Sequence, residues 1–184
     1  MTGAPLVVLD ACVLANFSLC DTLLRLAEPP QLFEPKWSEE IIRETTTTLE
    51  LKVGWPSSLT AHFEKELRAH FSEAWISDYE SLIPKMTNDE EDRHVVAAAV
   101  RGEAAIILTL NLRHFRPEHL AMWGVRVLHP QYFLIEIFRQ EQAVVLTKLG
   151  QQATDRGRSL SQLLNILKAT VPDFVAIVSA AISR

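Results

Sequence analysis

Two short apolar runs constrain the fold of this chain more than any other feature. The first is "PLVVLD" (5–10), β-branched and closed by Asp10. The second is "AAIILTL" (104–110), which carries Thr109 and runs directly into Asn111. Neither alternates apolar with polar residues, so each reads as a strand buried on both faces. The stretches between them have helical spacing. Leu14, Phe17, Leu23, Leu24 and Leu26 recur between Ala11 and Ala27, Ile41, Ile42, Thr45 and Leu49 follow Ser38, and Val95, Val96, Ala99 and Val100 follow Asp92. Strands alternating with helices imply a parallel sheet covered on both faces. The expected fold is therefore α/β: a three-layer α/β/α sandwich around a central parallel sheet of four or five strands.

The remaining elements fill in around this frame. The first helix ends at "EPP", since Pro29 and Pro30 cannot continue it. "QLFEP" reads as a short second strand, and Ser38 as the cap of a helix running to about Lys52. "GWPSS" (54–58) is a turn, and a helix follows from Ser58 to about His70. "AWISDY" is irregular or a weak strand. Thr87 and Glu90 have capping-box spacing, which predicts a helix from Thr87 to about Gly102. "NLRHFRPEHLAMWG" reads as a loop with a short helix, and "VRVLHP" as the last strand. From Pro130 onward no strand signal remains. "PQYFLIEIFRQEQAVVLTKLG", "SLSQLLNILKAT" and "PDFVAIVSAAI" read as amphipathic helices. The expected organisation is an α/β domain over 1–130 and a helical extension over 131–184.

The chain of 184 residues is long enough to bury a core without staples. No apolar run approaches the roughly 20 residues that span a bilayer. The N-terminus lacks a basic region and Asp10 interrupts its apolar stretch, so it does not read as a signal peptide. If Cys12 and Cys20 share one helix, they lie roughly 12 Å apart, beyond the ~7 Å reach of a disulfide. Free thiols suit a reducing compartment, and the expected location is cytoplasmic. The net charge of −5 disfavours nonspecific coating of DNA. It leaves open an acidic catalytic site with local basic residues.

Four carboxylates, Asp89 to Asp92, stand before the apolar run of "TNDEEDRHVVAAAV" (87–100). Capping and dipole complementarity account for Glu90 and Glu91, at about 0.3–1 kcal/mol each. On a helical wheel Asp92 falls in the middle of the buried face and Asp89 toward the same side, while Glu90 and Glu91 point elsewhere. An unpaired carboxylate on an apolar face is costly, so Asp92 asks for a partner. Asp10 ends the first strand, where parallel sheets bind ligands; it also suits the N-cap of the next helix. Glu44 lies nearer than Glu40 to the buried face of its helix. Asn111 follows a strand, with Thr109 on the same side of the pleat; it could make a turn, supply an oxygen ligand or orient a water. Oxygen donors without Cys or His suit Mg²⁺ or Mn²⁺ rather than Zn²⁺. The six histidines form no zinc spacing, and no Walker A, GxGxxG or GxSxG motif is present.

Taken in order, these residues resemble the pattern of PIN-domain nucleases. "VVLDACVL" is similar to that family's first motif, "SEEIIRE" to its second with Glu44 as the acid, "DEEDRHVVAAAV" to its third with Asp92 and Asp89, and "IILTLNLRHF" to its fourth. The similarity covers about residues 5–130. The helices beyond it resemble an extension found in a bacterial branch grouped with VapC-type toxins. Two positions depart from the pattern. Asn111 stands where many relatives carry an acid, and Cys12 where many carry Asn.

The resemblance implies a metal-dependent endoribonuclease that cleaves single-stranded RNA, leaving a 3′-hydroxyl and a 5′-phosphate. Asp10, Glu44, Asp92 and Asn111 would be catalytic. Asp10 and Asp92 would hold Mg²⁺ or Mn²⁺, with Glu44 and Asp89 completing its shell and Thr109 positioning water or metal. Arg93, Arg113, His114 and Arg116 lie close to the acidic motifs and are candidates for RNA phosphate contacts. The implied partners are an RNA substrate, a small cognate antitoxin and a second copy of the chain, with no membrane. A PIN-like RNA-binding module without activity is the alternative. A haloacid-dehalogenase-type phosphohydrolase also begins with a strand-end Asp, but needs a second Asp where this chain has Cys12.

Overall fold

The computed structural model describes residues 3–183. Its centre is a five-stranded, all-parallel sheet in the order β3-β2-β1-β4-β5. The strands are β1 (Leu6–Leu9), β2 (Glu34–Ser38), β3 (Trp75–Ile76), β4 (Ile106–Leu108) and β5 (Arg126–Leu128). Val7, Val8, Leu9, Ile107 and Leu108 are fully buried, as two-sided burial of the central strands requires. Pro35 is tolerated in β2 for a specific reason. Glu34 N–H donates to Pro5 O, so the N–H that Pro35 lacks would face the opposite edge. There β3 begins pairing only at Trp37, and no ladder bond is lost.

The strand order creates one special place. The chain builds β1, β2 and β3 outward on one side, then returns to place β4 and β5 on the other side of β1. The carboxyl ends of β1 and β4 therefore flank a crevice where the winding reverses, the position at which open parallel sheets bind ligands. Asp10 follows β1 and Thr109 follows β4. Asp10 N–H donates to Leu108 O, and Thr109 N–H to Leu128 O.

Before Pro130, three helices differ from the sequence expectation. The single helix expected over 11–27 is two: α1 (Ala11–Leu14) and α2 (Phe17–Ala27). Asn16 caps the second by accepting from Leu19 N–H, so its short amide competes with helix continuation. Cys12 and Cys20 consequently sit on separate helices, both as free thiols. The helix α3 (Glu39–Thr48) starts as expected, with Ser38 accepting from Ile41 N–H, but it widens into a π-turn over Leu49–Val53 before Gly54 (φ 83°) ends it. After α4 (Ser57–His70), the expected helix from Thr87 is absent at its start. Asp89 is extended and accepts from Glu91 N–H, a 3₁₀ turn covers Glu90–Asp92, and α5 spans Arg93–Arg101. The capping box is not made; Thr87 Oγ1 pairs with His119 Nδ1 at 2.9 Å. A short α6 (Pro117–Leu120) lies between β4 and β5.

The C-terminal part forms four helices rather than three: α7 (Pro130–Gln140), α8 (Gln142–Asp155), α9 (Leu160–Leu167) and α10 (Pro172–Ile182). Glu141 (φ −132°, ψ 49°) breaks the first expected helix in two. The C-terminal side chains Leu163, Phe174 and Val178 join the same buried cluster as Val8 and Leu9. Polar contacts bind these helices to α2. Asn16 Nδ2 donates to Thr170 Oγ1 (2.9 Å), Thr22 Oγ1 to Gln152 Oε1 (2.8 Å), and Gln152 Nε2 to Ser18 O (3.0 Å). Among the described residues no helix is long and apolar enough to cross a membrane.

Gln152 is 1% exposed, so its amide cannot exchange these bonds for water. Gln152→Ala should destabilise the fold by about 1–3 kcal/mol, read as a melting temperature lower by several degrees. An unchanged melting temperature would show that this buried amide does not hold α8 to α2.

Candidate active site

At the carboxyl ends of β1 and β4 lies a cleft of about 490 Å³. Asp10, Cys12, Glu44, Glu91, Asp92, Asn111 and His114 line it, together with Arg43, Thr47, Thr48 and Lys52. The four residues expected to be catalytic, Asp10, Glu44, Asp92 and Asn111, are thus brought together from four segments. Thr109 lies directly beneath them, fully buried.

Asp10 is 3% exposed and is fixed on both oxygens. Ala11 N–H donates to Oδ1 at 2.7 Å, so Asp10 caps α1. Oδ2 receives Thr109 Oγ1 at 2.6 Å and Cys12 Sγ at 3.1 Å. Thr109 and Cys12 are themselves anchored: Asn111 N–H donates to Thr109 Oγ1, and Leu110 N–H to Cys12 Sγ. Burial, reinforced by the Asp10 charge, pushes the Cys12 thiol up to about 12. It therefore keeps its proton and serves as a donor.

Asp92 is half-buried and pairs with His114 Nδ1 at 2.7 Å. Arg113 Nε donates to His114 Nε2, which makes Nε2 the acceptor and Nδ1–H the donor to Asp92. Burial is the largest influence on Asp92 and raises its pKa. Asp10 and Asp89 push the same way; the His114 bond opposes them without reversing the shift.

Glu44 meets His94, which follows Asp92 by two residues. His94 is 5% exposed. Its Nε2 lies 3.2 Å from Glu44 Oε1, and its Nδ1 lies 3.8 Å from Glu40 Oε2. Neither nitrogen makes an aligned hydrogen bond, so these are charge contacts rather than directed bonds. Burial pulls the His94 pKa down, but Glu44, then Glu40 and Asp10, outweigh it and the net shift is upward.

Other expected residues are placed differently. Asp89 is exposed and outside the cleft lining, so the shared helical face with Asp92 is not formed. One oxygen each of Asp89 and Asp92 nevertheless falls within 4.8 Å of the other and of a His114 nitrogen. Glu91, expected to point away, lines the cleft, whereas Glu90 does not. Arg93 donates to Asn88 O beneath the loop. Arg113 is engaged with His114, and the exposed Arg116 precedes α6; none of these three arginines lines the cleft. His114 does, with its ring turned to Asp92.

The sequence reading missed His94, the donor role of Cys12, and the basic wall of Arg43 and Lys52. Thr47 and Thr48, which also line the cleft, did carry a signal: they are three and four residues from Glu44, hence on its strip of the helix. Lys52 had no such signal, because the π-turn that carries it to the cleft has no sequence marker here.

The chemistry of the cleft suits a hard divalent cation. Its acidic donors are carboxylate oxygens, and burial, together with the neighbouring carboxylates, raises the Asp92 pKa. A cation relieves both burdens, and oxygen donors match Mg²⁺ or Mn²⁺.

Comparison with known proteins identifies the family of the chain. The family model described as "PIN domain" matches residues 6–113, which includes Asp10, Glu44, Asp92 and Asn111. A Mycobacterium tuberculosis protein described as "Putative ribonuclease VapC50" is 35% identical over 106 residues, 56% of this chain. The match spans 63% of that relative's length. No solved structure matches the chain.

The two pKa shifts act in one direction on chelator-treated protein. A carboxyl with a raised folded pKa burdens the fold once pH exceeds its unfolded value of about 3.9. A histidine with a raised folded pKa stabilises fully below about 6.5, and that stabilisation is lost as pH rises through the folded value. The melting temperature of Asp92→Asn relative to wild type should therefore climb as pH rises above about 4. The deficit of His94→Gln relative to wild type should be largest below about pH 6.5 and close above it. Differential scanning fluorimetry across pH checks both, and flat difference curves would contradict the shifts.

Proposed function

Because the chain belongs to the PIN-domain family, we propose that it is a divalent-metal-dependent endoribonuclease acting on single-stranded RNA, and the toxin of a bacterial toxin–antitoxin pair. The observation that carries this reading is the convergence of Asp10, Glu44, Asp92 and Asn111 on one cleft where the sheet winding reverses. The relative's printed name supports ribonuclease activity, and its VapC designation is in line with the resemblance to VapC-type toxins on which the toxin reading rests. A small cognate antitoxin, a homodimer and a cytoplasmic location belong to the same proposal, as does residues 131–184 acting as a helical extension to a nuclease domain over 1–130.

In this reading Asp10 and Asp92 hold Mg²⁺ or Mn²⁺, and Glu44 and Asp89 complete the shell directly or through water. The ion supplies charge neutralisation at the scissile phosphate and a more acidic water. The protein's own part is rigidity. Thr109 and Cys12 hold Asp10, and His114 holds Asp92, so neither carboxylate needs to reorganise at the moment of reaction. Asn111, with its backbone pinned to Thr109, offers a neutral amide to orient water. Arg43 and Lys52 on the facing wall bind phosphates flanking the cut, with Arg113 and Arg116 further out along the strand. Hydrolysis that leaves a 3′-hydroxyl breaks the P–O3′ bond as water adds to phosphorus, and the water's proton is passed to solvent or the leaving oxygen. The neutral Asn111 is what favours the second reading, an RNA-binding module with no cleavage.

Cleavage of a labelled single-stranded RNA should require Mg²⁺ or Mn²⁺ and stop with EDTA. Asp10→Asn and Asp92→Asn should each lower the rate by at least roughly 100-fold, since even a residue supporting a metal ligand is worth 10–100-fold. Arg43→Ala and Lys52→Ala should each reduce the slope of log affinity against log salt by about 0.7 on single-stranded RNA. Wild-type cleavage by Asp92→Asn would overturn the nuclease reading. RNA binding without metal-dependent cleavage would favour the second reading.

A further inference from the structure

Behind the cleft, His94 sits where no motif demands a histidine. It is the second residue of α5, is 5% exposed, and faces α3. Glu40 and Glu44 stand one helical turn apart on α3, on a single strip. The two ring nitrogens take one glutamate each: Nε2 lies 3.2 Å from Glu44 Oε1 and Nδ1 lies 3.8 Å from Glu40 Oε2. Of these three residues, only Glu44 lines the cleft. Glu40 is also held by Arg43 Nη2 at 3.1 Å on Oε1 and by Tyr79 Oη at 3.5 Å on Oε2.

We infer that His94 is a positioning residue, which bridges Glu40 and Glu44 from behind and aims the Glu44 carboxylate into the acid cleft. The inference rests on the metal reading of that cleft. Its physical basis is the accounting for a buried polar ring. Neither nitrogen makes an aligned hydrogen bond to any described residue, so the two carboxylates are what the ring has to engage. Glu44 is in turn a long, flexible acid of the cleft whose carboxylate no backbone N–H holds. Asp10 is fixed by Ala11, Thr109 and Cys12, and Asp92 by His114. Without His94, Glu44 would sample several rotamers at the cleft edge. A partner that orients a ligand from behind is worth about 10–100-fold in metal affinity. Glu40 serves as the counterweight: held by Arg43 and Tyr79, it keeps the ring from turning away.

The test is Mn²⁺ affinity, read by the electron paramagnetic resonance of free Mn²⁺, for wild type, His94→Ala, Glu44→Gln and the double variant. His94→Ala should weaken binding by roughly tenfold or more. In the Glu44→Gln background the same substitution should have no further effect, because its action runs through Glu44. His94→Gln, which keeps an amide donor, should recover part of the affinity and guards against a fold lost in the alanine variant. An equal loss in both backgrounds would overturn the inference: the ring would then bind the ion itself or support the fold. No loss with His94→Ala would also overturn it. If wild type shows no saturable Mn²⁺ binding, the metal reading fails and this inference fails with it. If wild type binds and His94 has no effect, only the inference fails.

Discussion

The structure turns on holding like charges together where a parallel sheet reverses its winding. Asp10, Asp92 and Glu44 share one cleft, and such a set repels itself. Each carboxylate is met by a different partner. Asp10, the most buried, takes a backbone N–H, a hydroxyl and a thiol. Asp92 takes an imidazole nitrogen, and Glu44 stands against a second imidazole. These partners hold the carboxylates in place without neutralising them all, so an attraction for a cation remains. Burial raises the Asp92 pKa, and repulsion from Asp10 and Asp89 adds to it. A cation would offset that repulsion, which ties ion affinity to the same contacts that hold the site together.

Much of the fold was legible in the sequence because buried parallel strands leave a plain mark. "LVVL" and "IIL" could be little else, and the helical spacing around them dictated the parallel order. Asp10, Asn111 and Thr109 followed, since a strand end fixes where its next residues stand. Helix boundaries were less legible. Asn16 and Asp89 each stop or delay a helix by accepting a local N–H, and propensity alone does not weigh a side chain against the backbone for the same N–H. For that reason the wheel that put Asp89 beside Asp92 was drawn on a helix that starts at Arg93 instead. Asp92 still faces the cleft, from the end of a 3₁₀ turn rather than from a helix face.

Pairings across segments left no trace in the one-dimensional pattern. His94 reads as an ordinary residue of an amphipathic helix until α3 is packed against it. Lys52 reaches the cleft through a π-turn that replaces the last turn of the expected helix. Cys12 read as a departure from a pattern; in the fold it is a donor to Asp10 with its proton held by burial. The C-terminal helices reach the same centre indirectly. They grip α2 through Asn16, Thr22 and Ser18, and α2 follows α1, whose cap is Asp10. Their core is continuous with that of the sheet, so the helix arising from the site is braced along its length.

The central claim is that these carboxylates form one cation site at the ends of β1 and β4. Anomalous diffraction from crystals grown with Mn²⁺ tests it most directly. The account predicts a peak bonded to carboxylate oxygens of Asp10 and Asp92, at a metal–oxygen distance of about 2.1 Å, with Glu44 turned toward it and the His94 ring outside bonding reach. A peak held instead by His94, Glu40 and Glu44, or no peak in the cleft at saturating Mn²⁺, would contradict it.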